Sequence, residues 1–234
     1  DMLIEALLKV RKDVILTFVG GSPVEMPWRE QAQTILWSYY AGMETGNALA
    51  QIIFGEVNPS GKLAETFPVR YEDCAAAKNG QFGKWGNIVL EEGLYCGYRH
   101  FDRQRIKSAF CFGHGLSYTS FEYSGLTMKA EKGKDVKLTF SVKNTGKLAG
   151  AEAVQIYIAP IAAQVDRPDK ELKAFSKVEL GAGRSKKISL TLKQEDFMYY
   201  DVQLRKFIAD AGDYEILAGA SCEDIRLRGI ATLS

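Results

Sequence analysis

The chain has 234 residues, a formal net charge of +1, 46% hydrophobic residues and 25% charged residues. That is the balance of a globular protein with enough apolar material for a sizeable core. A charge so near zero gives no electrostatic reason to expect nucleic acid or an anionic membrane as a partner, and no apolar run approaches the ~20 residues of a membrane span.

The opening DMLIEALLKVRKD carries no signal peptide and reads like the middle of a domain, so a missing N-terminal portion is expected. Leu3, Ala6, Leu7 and Val10 recur at helical spacing and predict an amphipathic helix over 2–11. VILTFVGG follows as a continuous apolar run ended by a glycine pair, the pattern of a parallel strand buried on both faces. Thr34–Tyr40 reads as a second such strand. ETGNALAQIIF predicts a helix over 44–54 with Ala48, Ile52 and Phe54 on one side and Gly55 as its stop. After the turn signal Asn58-Pro-Ser-Gly61, KLAETF reads as a third strand closed by Pro68. This order implies an α/β layer, partial in this chain, over residues 1–68.

Residues 69–122 read as an irregular connector rich in aromatics and glycine, of the kind that is functional or draped over a domain. Beyond 123 the period changes to two. Val136, Leu138, Phe140 and Val142 share a face, Ala153–Ile158 alternates again, Ile188, Leu190 and Leu192 align, and Tyr214–Leu217 opens another run. About seven short strands over residues 123–234 predict an all-β sandwich of the immunoglobulin/fibronectin III-like kind.

Candidate chemistry is sparse. The four cysteines form no CxxC pair and there are only two histidines, which argues against a metal site. Cys96 and Cys111 sit among aromatics and read as buried thiols, a lean toward a reducing, cytoplasmic compartment. No GxSxG elbow, GxGxxG or P-loop is present, and no cofactor is expected. The stretch EEGLYCGYRHFD at 91–102 carries the side chains of a sugar-cleaving site. A glycosidase needs two carboxyl groups about 5 Å (retaining) or about 6.5–9.5 Å (inverting) apart across one bond. Glu91 and Glu92 are adjacent, and if extended they point to opposite faces. Glu92 reads either as a sugar contact or acid/base near an active-site rim, or as a loop anchor paired with Arg99. Tyr95, Tyr98 and His100 either wall such a rim or pack the connector. Trp28 and Trp37 read as core or domain-contact residues, whereas Trp85, in a glycine-rich loop, is the aromatic placed to reach a sugar face.

Several stretches in order carry a resemblance. They are Gly21-Ser-Pro-Val24 with Trp28, Gly46-Asn-Ala-Leu-Ala50, Phe54-Gly-Glu-Val-Asn-Pro-Ser-Gly-Lys-Leu63, Thr66-Phe-Pro68, Glu92-Gly-Leu-Tyr95 with Gly97-Tyr-Arg99, and Phe112-Gly-His-Gly-Leu-Ser-Tyr118. In the sandwich, Gly150-Ala-Glu152, Val154-Gln-Ile-Tyr157, Arg167-Pro168 and Lys170-Glu-Leu-Lys173 complete the set. The chain resembles the C-terminal part of a glycoside hydrolase family 3 enzyme of the β-glucosidase/β-xylosidase type. The resemblance implies a retaining exo-glycosidase acting on terminal β-linked glucose or xylose. Its aspartate nucleophile would lie on a separate N-terminal barrel, and its usual acid/base upstream of the first helix. No catalytic residue is therefore assigned here, and the isolated chain is expected to be inactive. Trp85, Glu92 and Tyr95 are the candidate substrate contacts. The expected partners are the missing barrel with the rest of the α/β domain, a glycoside substrate in the intact enzyme, and a second copy of the chain through an uncovered apolar face. The competing expectation is an autonomous carbohydrate- or protein-binding module, since a sandwich does not fix function.

Overall fold

A computed structural model describes all residues except 81–82, 131–134 and 234. It divides into two compact units, one of residues 1–57 and 65–111, the other of residues 58–64 and 112–234. Gln81 and Phe82 of the glycine-rich loop lie outside the described residues.

The first unit opens with helix α1 (Met2–Val10), followed by strands β1 (Ile15–Phe18) and β2 (Thr34–Trp37) and helix α2 (Thr45–Ile53). β1 and β2 pair in parallel, Leu16 opposite Ile35. The expected burial of β1 on both faces is not met. Leu16 is buried, but Ile15 and Val19 are exposed, because the sheet here has only two strands. Much of α1 is also uncovered, with Met2, Leu3 and Val10 each more than 70% exposed. In α2 the half-buried positions are Thr45, Leu49 and Ile52; of the expected Ala48, Ile52 and Phe54, only Ile52 is covered. Phe54 is the C-cap and its side chain is out in solvent. An aromatic stack orders the centre of this unit: Phe18 lies between Trp28 and Trp37, at 5.6 and 5.9 Å, and Trp37 meets Phe67 edge-on at 4.9 Å. Trp28 is buried, as expected of a core residue, and its indole N–H donates to the Asp1 carboxylate at 2.8 Å.

The third strand read from KLAETF does not form. Only β3 (Phe67–Pro68) is extended, antiparallel to β4 (Ser108–Phe110). The preceding residues are taken into the second unit instead, where Leu63 N–H donates to His114 O and Gly113 N–H to Leu63 O, both at 2.8 Å. Residues 69–111 are also less irregular than expected, with helices α3 (Ala75–Lys78) and α4 (Tyr98–Gln104). Among the described residues no helix is long and apolar enough to cross a membrane.

The second unit is a seven-stranded antiparallel sandwich. Strands β5 (Phe121–Ala130), β6 (Val136–Asn144) and β9 (Ser185–Leu192) form one sheet, in the order β5-β6-β9. The other contains β7 (Gly150–Pro160), β8 (Glu171–Leu180), β12 (Gly212–Gly219) and β13 (Ile225–Leu233), in the order β13-β12-β7-β8, and a small hairpin, β10 (Tyr199–Asp201) with β11 (Lys206–Ile208), stands apart. The alternation of β6 holds: Val136, Leu138, Phe140 and Val142 are all buried in the core with Val154, Ile156, Ile158, Ile188 and Ile216. Removing one methyl at this interface by Ile188→Val is expected to lower stability by about 0.5–1.5 kcal/mol, read as a shift in the urea midpoint without a change in slope.

β7 is buried on both faces. Gln155 and Tyr157, which point away from the sandwich core, are buried too, and the Gln155 amide donates to Ala220 O at 2.9 Å and Gly113 O at 3.3 Å. Gly113 has φ +80°, and a Cβ there would lie 2.3 Å from the Gln155 side chain, so only glycine fits.

Candidate functional site

The connector side chains of the first unit are organised around His100. Gly97 breaks the chain just before α4, and the first turn of that helix turns His100 inward. The ring is buried, and its Nε2 lies 3.0 Å from the Asp73 carbonyl, which can only accept, so Nε2 carries the proton. Asp73 is itself buried, and its carboxylate is held below the usual carboxylate range by the hydrogen bond from Arg70, at 2.8 Å. Burial holds the His100 imidazole below its ordinary pKa, favouring the neutral ring. The unfolded chain then takes up more protons than the folded one as pH falls below about 6.5, so this unit loses stability on acidification. The urea midpoint is expected to fall between pH 7 and 5.5, with part of that fall absent in His100→Gln.

Glu92 lies in a turn, not an extended segment, with Tyr95 N–H donating to Glu92 O at 2.9 Å. Glu92 Oε2 is buried without a hydrogen-bond partner, close enough to His100 for its charge to bear on the ring. Tyr95 is half-buried beneath the Arg103 guanidinium, 5.1 Å from the ring centroid. Trp85 is fully exposed, and no contact joins it to Glu92 or Tyr95 among the described residues. Glu92, Tyr95 and His100 thus share one turn-and-helix segment, while Trp85 stands on its own. Asp73, 27 positions from His100, was not singled out in the sequence, where nothing links the two. Of the cysteines, Cys111 is buried as expected but Cys96 is exposed. The turn before α4 leaves Cys96 outward.

A half-buried carboxylate with an orphan oxygen, a neutral imidazole and a cation-capped tyrosine can accept and donate hydrogen bonds to hydroxyl groups. They do not form the opposed carboxyl pair of a self-contained glycosidase. The architecture is an α/β unit joined to a fibronectin III-like sandwich. Residues 1–118 match the glycosyl hydrolase family 3 C-terminal domain, and residues 152–222 match a fibronectin type III-like domain. The chain belongs to glycosyl hydrolase family 3 and corresponds to the C-terminal part of its relatives. It is 43% identical over 231 residues to the thermostable beta-glucosidase B of Acetivibrio thermocellus, covering 97% of this chain and 30% of that protein. It is 41% identical over 232 residues to beta-glucosidase BoGH3A of Bacteroides ovatus, covering 96% of this chain and 31% of that protein. Its fold matches the crystal structure of the beta-glucosidase from Kluyveromyces marxianus in complex with glucose over 100% of this chain and 28% of that one, with a TM-score of 0.95 at 35% identity. It also matches DesR, a beta-glucosidase from Streptomyces venezuelae in complex with D-glucose, with a TM-score of 0.95 at 32% identity, over 100% of this chain and 30% of that one. The chain spans about 30% of the length of the curated relatives it matches.

Proposed function

We propose that this chain is the C-terminal portion of a retaining β-glycosidase that hydrolyses terminal β-linked glucose or xylose. The observation that carries the reading is its match, over 96–97% of its length, to about 30% of the length of proteins named beta-glucosidases. On this reading the nucleophile and the acid/base belong to the rest of the enzyme, the chain alone does not turn over substrate, and its connector supplies sugar contacts. Glu92, half-buried in the turn before α4, offers its carboxylate to a sugar hydroxyl. Tyr95 borders the same turn, and Trp85 offers an uncovered ring to a sugar face.

The uncovered apolar face of α1 and the unpaired edges of the β1–β2 sheet are where the remainder of the α/β domain docks. The isolated chain is therefore expected to self-associate, read by sedimentation velocity over a concentration series. A chain that stays monomeric throughout would weigh for a self-sufficient binding module. In the enzyme completed with the barrel portion, Trp85→Ala is expected to raise KM about 2- to 10-fold with kcat little changed, the loss of one stacking contact. An unchanged KM removes Trp85 from the site.

A further inference from the structure

We infer that the second unit carries a binding cleft for a neutral polyhydroxylated ligand of pyranose size, distinct from the candidate contacts Trp85, Glu92 and Tyr95. The cleft has a volume of about 330 Å³, within the ~300–1,000 Å³ of small-molecule sites. All its walls come from the second unit: the 58–64 strap gives Lys62, the loop before β5 gives His114 to Ser120, β7 gives Glu152, and the β12–β13 turn gives Ser221 and Asp224, with Arg226 on β13.

Charge balance selects the ligand. Two cations and two carboxylates face the cleft already paired, Lys62 with Glu152 at 3.5 Å and Arg226 with Asp224 at 2.7 Å. Burial keeps His114 toward its neutral form. An anion would meet Glu152 and Asp224, and a cation would meet Lys62 and Arg226, so neither gains a net attraction. A neutral polyol gains from both signs, since hydrogen bonds to charged groups are the strong ones. Hydrogen-bonding capacity remains for it. Lys62 donates to Gly115 O at 3.1 Å besides its ion pair. Arg226 donates through Nε and Nη2 to Asp224 and through Nη1 to Phe121 O. Each therefore keeps N–H groups without a partner among the described residues. Half-buried Phe121 adds an apolar edge for the C–H face of a sugar ring. Gly115 lets the wall close up, since a Cβ there would lie 2.2 Å from Gly61 O.

This inference follows from the cleft and does not rest on the glycosidase reading. Loss of cleft binding and failure of catalytic complementation are separate results. The test is a titration of the ¹⁵N-labelled chain with D-glucose, followed by NMR, with glucose 6-phosphate and glucosamine as charged counterparts. Saturable shifts are expected at Gly115, Ser117, Ser120 and Ser221 with Kd about 1–10 mM, and weaker binding of both charged sugars. Ser120→Trp, at an exposed cleft position, is expected to weaken glucose at least ~10-fold with an unchanged melting temperature. Asp224→Asn, which leaves the cleft net positive, is expected to weaken glucose about 5-fold and to strengthen glucose 6-phosphate. No saturable shift with glucose, shifts lying elsewhere, shifts that persist in both variants, or tighter binding of a charged sugar by the unmodified chain would each overturn it.

Discussion

Glu152→Ala is expected to destabilise the second unit by about 3–5 kcal/mol, the cost of breaking one member out of a buried ion pair. The Glu152 side chain is 5% exposed and that of Lys62 14%. One carboxylate oxygen accepts from the Tyr123 hydroxyl at 2.8 Å, and the other faces Lys62 Nζ. Tyr123 is also buried, with the Arg226 guanidinium 4.8 Å from its ring centroid, and desolvation with the Glu152 charge pushes its hydroxyl well above the ordinary tyrosine range. Alanine at 152 leaves the Tyr123 O–H without its acceptor and takes the carboxylate from the Lys62 ammonium, which keeps only Gly115 O. Glu152→Gln keeps an acceptor for one of them and should cost less. Tyr123→Phe alone is expected to cost about 1–3 kcal/mol. The two changes should be markedly non-additive, because each removes the same hydrogen bond. Urea unfolding of the two single variants and the double variant reads the coupling. Additive costs would mean that the three groups do not act as one network.

The second large effect is expected at Asn144, at the end of β6. Its side chain is fully buried and every polar group on it is engaged. The amide donates to Leu148 O at 2.8 Å and to Leu180 O at 3.0 Å, while the side-chain oxygen accepts from Thr119 Oγ1 at 2.6 Å and Gly146 N–H at 3.0 Å. One residue thus ties the entry into β5, the turn after β6 and the end of β8. Asn144→Ala strands several buried donors and acceptors at about 1–3 kcal/mol apiece, so a total loss of roughly 3–5 kcal/mol is expected. Asn144→Asp should also destabilise, since a carboxylate would face two carbonyl oxygens with no proton to give. A melting temperature within a few degrees of the parent in both variants would show that water replaces these bonds.

Legibility in the sequence followed the physics of burial. β6 was readable because one face is core and the other is solvent, so the period of two is undiluted. β7 carries the same inward set, Val154, Ile156 and Ile158, but its outer face is buried under Gly113 and Ala220, and Gln155 and Tyr157 blur the alternation. α4 was missed because YRHFDRQ has no apolar stripe; the burial of His100 and Phe101 holds it. KLAETF looked like a strand because its composition fits one. What decides its fate is a long-range choice, Leu63 bonding residues 113 and 114, that no local pattern encodes. In the candidate site, residue types and turn chemistry were visible, but the orphan oxygen of Glu92 and the bond from His100 to the Asp73 carbonyl are tertiary facts.

The account's central claim is that this chain supplies scaffold and sugar contacts to a glycosidase whose catalytic carboxylates lie elsewhere. The most direct measurement is hydrolysis of p-nitrophenyl β-glucoside and β-xyloside by the purified chain, before and after addition of the barrel-containing remainder of the enzyme. No turnover alone and turnover on mixing is the predicted result. Turnover by the isolated chain, abolished by no change outside it, would contradict the claim.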